Sequence, residues 1–241
     1  MAIKSILITN TEMVRAILDG SKTCIRQIIK GYIPQNAQFG YSAFTPDGTI
    51  SCRGLFETAG RPGYGEKFFK LPYQPGDILY VRETWCKSLE RYLYRADYSD
   101  TEKFYQNGKE IEIKWRPSSI MPREAARIFL KVTNVRVERL QDITEDGANV
   151  EGMPGDLDYP VSKIYCPICK GYGTIDSRNP SSLGHEEIDC PNCDSRRKRF
   201  ANLWNSTMKK SDLDRYGWDA NPYVFVIEFV KIDKPEEIKN A

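Results

Sequence analysis

Two pairs of cysteines in this sequence have the spacing of a metal site. Each pair belongs to a Cys-Pro-x-Cys segment, the first at 166–169 and the second at 190–193. Two thiolates on one tight turn can bind the same ion, and a second pair completes a tetrahedral set of four sulfurs. The sequence therefore predicts a structural Zn²⁺ site. Its predicted ligands are Cys166, Cys169, Cys190 and Cys193.

The segment between the two cysteine pairs is too polar to fold around an apolar core. Residues 170–189 are rich in Gly, Ser, Asn and Asp, and their aliphatic side chains larger than Ala are Ile175, Leu183 and Ile188. Metal binding is then the source of the folding free energy of this segment. His185, the single histidine, also lies here. Because four cysteines already complete a tetrahedron, we expect His185 to be a loop residue rather than a ligand.

A run of basic residues follows the second cysteine pair and is a candidate for contact with phosphate groups. The run consists of Arg196, Arg197, Lys198 and Arg199. Beside a metal-stabilised loop, these side chains would extend contact along a nucleic-acid backbone, each phosphate contact adding a salt dependence of about 0.9 log unit per log unit of salt. The alternative is a solvated charged linker, since short charge runs usually remain hydrated.

Four further residues are candidates for a ligand-binding cleft. Lys22 and Arg26 flank a turn after the first predicted helix, where they can hold a phosphate or a base edge, or where Lys22 simply neutralises the helix end. Glu83 lies on the apolar face of a predicted strand, so its carboxylate requires a cationic partner, for which Arg26 or Lys22 is expected. That pair is either a ligand contact or a structural salt bridge. Glu151 ends a short predicted helix, in the cleft or on a solvated face.

Composition limits the class of protein. The 241 residues are 40% hydrophobic, which is enough for the core of one large or two smaller domains, and a net charge of +2 does not by itself indicate a nucleic-acid partner. No apolar run predicts a signal peptide or a membrane span, so no membrane partner is expected. The seven cysteines indicate reduced thiols and a metal rather than disulfides, which predicts a cytoplasmic protein. Cys24, Cys52 and Cys86 are expected to be buried reduced thiols.

The elements that must position these residues are mostly strands. Runs of β-branched and aromatic residues predict strands at 3–9, 49–56, 78–85, 91–95, 110–115, 127–137 and 223–232. Short helices are predicted at 12–19, 143–152 and 200–209. Because strands and helices do not alternate, the pattern favours the α+β class, as a mixed, mostly antiparallel β-barrel. Residues 154–199 are predicted to be an inserted zinc ribbon, which leaves 1–153 and 200–241 as the barrel domain.

Four segments, in order along the chain, carry a family resemblance. They are ILDGSKTCIR (17–26), PGDILYVRETW (75–85), LQDITEDGA with the following EG (140–152) and YGWDANPYVFVIEF (216–229). Together they resemble the ASCH domains, a branch of the PUA-like β-barrels, and especially the forms common in phages. The resemblance spans most of residues 3–232 apart from the zinc segment. It implies a small barrel with a cleft near the turn after the first helix, which binds RNA or modified bases.

One subgroup of that family implies an enzymatic alternative. Its members look like amidohydrolases that remove the acyl group from N4-acetylcytidine, using a Lys in the Gly-x-Lys-Thr turn, a Thr three residues later and a Glu on a later helix. Lys22 and Glu151 match the Lys and the Glu, and they are the predicted catalytic residues if the chain is an enzyme. Ile25 stands where the Thr is expected, and its side chain cannot attack a carbonyl, so Thr23 or Cys24 would have to substitute.

The sequence therefore favours a binding protein. An ASCH cleft formed by Lys22, Arg26, Glu83 and Glu151 would hold RNA, DNA or a modified nucleoside, with the zinc ribbon extending the contact. The first alternative is an amidohydrolase acting on N4-acylated cytidine or a related modified nucleoside. The second is a phage protein–protein interaction module whose ribbon binds a host protein. A phage-encoded chain would act in the host cytoplasm.

Overall fold

Strands outnumber helices in the computed structural model, as the alternating apolar residues of the sequence predict. It describes residues 2–31, 33–34, 37–40, 48–58, 61–88, 91–99, 101–106, 109–153, 166, 168–169, 174–177 and 186–236. The strands are β1 Ile3–Leu7, β2 Cys24–Ile28, β3 Gln38–Gly40, β4 Thr49–Thr58, β5 Arg61–Lys70, β6 Ile78–Arg82, β7 Trp85–Ser88, β8 Arg91–Tyr94, β9 Phe104–Gln106, β10 Lys109–Ile111, β11 Phe129–Arg139, β12 Thr174–Ser177, β13 Glu186–Asp189 and β14 Tyr223–Ile232. The α-helices are α1 Thr11–Asp19, α2 Glu145–Val150, α3 Arg196–Ser206 and α4 Leu213–Tyr216.

The largest sheet is open rather than a closed barrel. Its five strands run in the order β1-β6-β11-β14-β2, so that within the described residues pairing ends at β1 on one side and at β2 on the other. The β1–β6 pair is parallel, whereas β6–β11, β14–β2, β3–β4–β5, β7–β8, β9–β10 and β12–β13 are antiparallel. The predicted mixed α+β class with mostly antiparallel strands is confirmed. The predicted closure of the sheet into a barrel is not observed among the described strands. Side-chain alternation identifies the two faces of a strand but does not show which strands pair.

The chain forms two compact units. One consists of residues 1–23, 75–133 and 229–241, and it holds β1, α1 and β6 to β10. The other consists of residues 24–74 and 134–228, and it holds β2 to β5, α2, β12, β13, α3 and α4. Strands β11 and β14 contribute residues to both units.

The first unit begins with the predicted helix and its caps. The Asn10 side chain caps α1 by accepting hydrogen bonds from the backbone N–H groups of Glu12 and Met13. Gly20 ends the helix with a φ of +86°, a left-handed conformation that favours glycine. The backbone N–H of Lys22 then donates to the carbonyl of Ala16 at 2.8 Å, which fixes the turn after the helix.

In the second unit, α3 begins earlier than the sequence predicts. The Ser195 side chain accepts a hydrogen bond from the backbone N–H of Lys198 and so caps a helix that starts at Arg196 rather than at 200. The basic run is therefore the first turn of a helix and not a linker before it. Helix α2 is similarly capped by Thr144, whose side chain accepts from the backbone N–H of Gly147.

The three cysteines outside the metal-site pairs, Cys24, Cys52 and Cys86, are buried, as expected.

Other predictions are not decided by the structure. Leu183 and His185 lie outside the described residues, and the limits of the insertion at 154 and 199 stay a prediction. No helix within the described ranges has the length and apolar character needed to cross a membrane.

Candidate functional site

The four predicted metal ligands lie in one buried cluster. Their Sγ atoms are all within 4.8 Å of one another, and the Cys166–Cys190 and Cys169–Cys193 sulfur pairs are both 3.8 Å apart. Each of the four residues is 4% exposed or less. A disulfide would bring two sulfurs to about 2.05 Å, so these sulfurs are not bonded to one another. Four thiols at this spacing surround a point that one metal ion can occupy.

Helix α3 supports the second cysteine pair directly. The Nε of Arg199 donates to the carbonyl of Cys193 at 2.7 Å. The Asn202 amide donates to the carbonyl of Asn192 at 2.9 Å, and the same nitrogen lies 3.8 Å from the Cys193 sulfur. Ile175 of β12 packs against the four cysteines. Hydrogen bonds from Arg199 and Asn202 therefore connect α3 directly to the second cysteine pair.

The structure corrects the prediction that all four cations of the basic run face a nucleic acid. Arg199 is 2% exposed, and its guanidinium is used inside the protein. The Nη2 of Arg197 donates to the carbonyl of Gln141 at 2.6 Å. Lys198 is exposed, and its ammonium lies 2.8 Å from the Asp194 carboxylate. The helical period explains the difference, because one side of the first turn must pack inward.

The amino end of α3 is bound to α2 by a single carboxylate. Glu145 accepts hydrogen bonds from the backbone N–H groups of Arg196 and Arg197, at 2.9 and 3.3 Å. A carboxylate is favourable here because the first N–H groups of a helix have no partner within the helix. Within the described residues, the buried Nε of Arg196 has no hydrogen-bond partner. The helix end is thus already occupied by a protein anion.

Two of the predicted cleft residues, Arg26 and Glu151, form a buried ion pair. Alternation along β2 places Cys24 and Arg26 on one face and Ile25 on the other. The Arg26 Nη1 lies 2.9 Å from the Glu151 Oε1, and each side chain is 3% exposed. The Arg26 Nη2 lies 2.5 Å from the Glu138 Oε1. The Cys24 sulfur lies 3.9 Å from the Glu151 Oε1 and 4.0 Å from the Arg26 Nη1.

Helices α2 and α3 contribute the residues that cover this pair. A Cβ atom at Gly147 would lie 3.5 Å from the Arg26 Nη2 and 3.1 Å from a carbon of Ile143, so glycine allows α2 to approach closely. The Phe200 ring of α3 lies 5.8 Å from the Arg26 guanidinium carbon. Arg26 is therefore enclosed by the carboxylate of Glu138 on β11, by that of Glu151 at the end of α2, and by residues of the two helices.

The ion pair continues outward as a network toward solvent. Glu138 also accepts a hydrogen bond from the Nε of Arg136 at 3.3 Å. Arg136 in turn pairs with Glu228, and these two side chains are 43% and 40% exposed. The amide of Asn134 donates to Glu228 at 3.3 Å. The network thus leads from a fully enclosed pair to the surface.

Charge within the network favours a permanently ionised Arg26. Burial lowers the pKa of Arg26, whereas Glu151, Cys24 and Glu138 raise it, and the net pKa lies above the ordinary value. The guanidinium of Arg26 contacts two carboxylates, those of Glu138 and Glu151. Because its charge is compensated within the protein, this site is better suited to hydrogen-bond a polar ligand than to attract a phosphate.

Glu83 has the cationic partner that its burial requires, but this partner is Arg127 and not Arg26 or Lys22. The Nε and Nη2 of Arg127 lie 2.9 and 3.0 Å from the two carboxylate oxygens of Glu83, which is 1% exposed. The Arg127 Nη1 also contacts Asp97 at 2.8 Å, and its guanidinium carbon lies 4.0 Å from the centre of the Tyr94 ring. Burial raises the pKa of Glu83, and Arg127 opposes that rise only in part.

The structure therefore divides the four predicted cleft residues between the two units. It brings Arg26 and Glu151 together in one of them, while Glu83 and the 4% exposed Lys22 belong to the other. Sequence analysis missed Glu138 and Arg127, whose roles depend on strand pairing. No family model, no curated protein and no solved structure matches this chain.

Proposed function

We propose that this chain is an ASCH-type, PUA-like binding protein that holds the base of a modified nucleoside, alone or within RNA or DNA, at the Arg26–Glu151 pair. The observation that carries the proposal is the burial of this pair, with each side chain 3% exposed and only 2.9 Å between the charged atoms. Such a pair is expensive to desolvate and contributes little net stability, so a role beyond folding explains its presence. The two residues also come from two of the four segments that resemble the family.

The chemistry of the pair matches the edge of a base. A guanidinium donates hydrogen bonds in a fixed plane, and a carboxylate accepts them. Cytosine offers the complementary groups, because its exocyclic amine donates while its ring nitrogen and carbonyl accept. The pairing of Arg26 with Glu138 and Glu151 compensates its charge, which favours recognition of a base rather than of a phosphate. Because both side chains are enclosed, a ligand would reach them by displacing part of α2 or α3.

We propose further that the four cysteines hold a structural Zn²⁺ ion. Zinc–sulfur bonds of about 2.3 Å in a tetrahedron place neighbouring sulfurs about 3.8 Å apart, and the two closest sulfur pairs have this separation. Four thiolates leave no open position for a substrate, so the role is structural. Elemental measurement of freshly purified protein is expected to give one zinc per chain. Protein without metal, folded and with four titratable thiols, would contradict this.

Binding is tested by titrating the protein with cytidine, N4-acetylcytidine, and single-stranded RNA and DNA. Arg26→Lys and Glu151→Gln are expected to weaken nucleoside binding about tenfold or more, because each removes a hydrogen bond to a charged group. Arg127→Lys is the matched control, since it alters a comparable pair in the other unit. If the wild-type protein binds none of these ligands, or if the control loses binding equally, the proposal is wrong.

A second candidate function is hydrolysis of an N4-acylated cytidine, which the position of Cys24 favours. Its sulfur lies 3.9 Å from Glu151, on the face opposite to Ile25. In this hypothesis the sulfur bonds to the acyl carbon while its proton passes to Glu151, and the cytidine amine leaves with a proton. Water then cleaves the thioester, releasing the acid and restoring the thiol. Loss of acetyl groups from N4-acetylcytidine would be measured, and turnover that survives Cys24→Ala, or no turnover at all, contradicts the hypothesis.

A further inference from the structure

One face of the three-stranded sheet β3–β4–β5 exposes two large aromatic rings. Tyr64 and Phe68 of β5 are 72% and 51% exposed. Because they are four residues apart on a strand, both rings lie on the same face, roughly 13 Å apart at about 3.4 Å per residue. Exposed aromatic side chains grouped on one face mark interaction sites in soluble proteins.

The opposite face of this sheet is already committed to the core. Ile50 and Cys52 of β4 are 3% and 0% exposed. Phe69 of β5 lies 6.3 Å, between ring centres, from Phe39 of β3, which lies 4.9 Å from Tyr223 in the same unit. The buried face fixes which way the sheet points, so the outward position of Tyr64 and Phe68 follows from the fold.

Two cations and one carboxylate accompany the two rings on this face. Arg53 lies opposite Glu66 in the β4–β5 register, and the two form an ion pair of 3.0 Å with side chains 51% and 35% exposed. Lys70 of β5 is also exposed, and alternation places it on the same face as Phe68. Among the described side chains on this face of β4 and β5, two cations therefore stand against one carboxylate.

We propose that this face is a stacking platform for single-stranded nucleic acid. Bases would stack on Tyr64 and Phe68, while Arg53 and Lys70 contact the phosphates. Aromatic side chains on a β-sheet are suited to this because every base has a π-face, and sheet-borne rings can stack two or three bases. The platform rests on the proposed function above, and it extends that function from one base to a strand.

Charge favours this occupant over a second copy of the chain. The outer edge of β5 is unpaired within the described residues, so another strand is the competing partner. Two copies of β5 would bring like charges together, and Pro62 has no N–H to donate to an added strand. A polyanion meets neither obstacle.

The test measures the affinity of the whole protein for dT and U oligonucleotides of increasing length, and separately for N4-acetylcytidine. The Tyr64→Ala/Phe68→Ala variant is expected to bind oligonucleotides about 25-fold more weakly or worse, at about 5-fold or more per ring, with nucleoside binding unchanged. Arg53→Ala is expected to reduce the salt slope by about 0.7. Tyr105→Ala, which removes a ring that is 63% exposed on β9, is the matched control and should change neither.

The outcomes separate this proposal from the proposed nucleoside site. Nucleoside binding without oligonucleotide binding would overturn the platform alone. Oligonucleotide binding that depends on Tyr64 and Phe68, with no nucleoside binding, would support the platform and overturn the cleft. A concentration-dependent dimer that the double variant abolishes would assign the face to a second copy and overturn the platform. Equal losses in Tyr105→Ala would also overturn it.

Discussion

The Arg127–Glu83 pair of one unit and the Arg26–Glu151 pair of the other each contain a buried carboxylate, but their geometry differs. Arg127 contacts both carboxylate oxygens of Glu83, at 2.9 and 3.0 Å. Arg26 instead divides its guanidinium between Glu151 and Glu138, at 2.9 and 2.5 Å. The Arg127–Glu83 pair is therefore bidentate, with one guanidinium bound to one carboxylate. The guanidinium of Arg26 instead bridges two carboxylates.

The difference in exposure indicates different roles. The Arg127 side chain is 26% exposed, so water shares in its solvation, while the Arg26 side chain is 3% exposed. An enclosed cation depends entirely on its protein partners, and its burial is therefore the more costly of the two. This difference is the reason why the proposed function assigns ligand binding to Arg26 and a structural role to Arg127.

Removal of the proposed Zn²⁺ ion is expected to have the largest effect on stability. This effect should reach the Arg26–Glu151 network but not the Arg127–Glu83 pair. Structural zinc sites contribute about 10–16 kcal/mol of binding free energy, and the cluster is attached to α3 through Arg199 and Asn202. Chelation should therefore raise hydrogen exchange in α3 and around Arg26, while residues 123–130 keep their protection. Exchange mass spectrometry with and without chelator measures this. Unchanged protection of α3 would contradict the coupling.

Arg26→Met is expected to lower the free energy of unfolding by about 3–5 kcal/mol, because it removes the guanidinium that lies 2.9 Å from the buried Glu151 carboxylate. Urea denaturation measures the loss. The Arg26→Met/Glu151→Met double variant is the control and should recover part of it, since neither charge then remains. A loss below about 1 kcal/mol for the single variant would show that Glu151 is satisfied by other groups.

Arg127→Met is expected to cost about 2 kcal/mol, less than Arg26→Met, because burial already raises the pKa of Glu83 and this carboxyl can bind a proton when its cation is removed. Nucleoside binding should be unchanged in this variant. Denaturation and ligand titration on the same preparation provide both values. If Arg127→Met lost nucleoside binding while remaining folded, Arg127 would not be purely structural, and the proposed difference in role between the two ion pairs would be wrong.

Glu138→Gln is expected to have the smallest effect, about 1 kcal/mol, because this carboxylate is 19% exposed and Arg26 keeps Glu151 as a partner. Thermal unfolding is the measurement, with Glu124→Gln as a surface control outside the network. An effect as large as that of Arg26→Met would mean that Glu138 and not Glu151 is the principal partner of Arg26.

Local features of the fold could be predicted because each depends on neighbouring residues. The helix predicted at 12–19 and the strand predicted at 223–232 are confirmed. The predicted strand 78–85 is instead two strands, β6 and β7, which separate at Glu83. The helix predicted at 200–209 begins at Arg196, because Ser195 caps it there. Strand β5 was not predicted because Pro62, Gly63 and Gly65 are residue types typical of turns.

The sequence alone determined the grouping of the four cysteines. Each pair of thiols lies on one turn, and a single metal ion can bind both pairs. It also determined that Glu83 must have a cation. Only the tertiary structure decided which cation, since Arg127 lies 44 positions away and reaches Glu83 through the β6–β11 pairing. The same holds for Arg26 and Glu151, 125 positions apart. Side-chain alternation fixes the face on which a charge lies, but its partner depends on how strands pair and helices cover them.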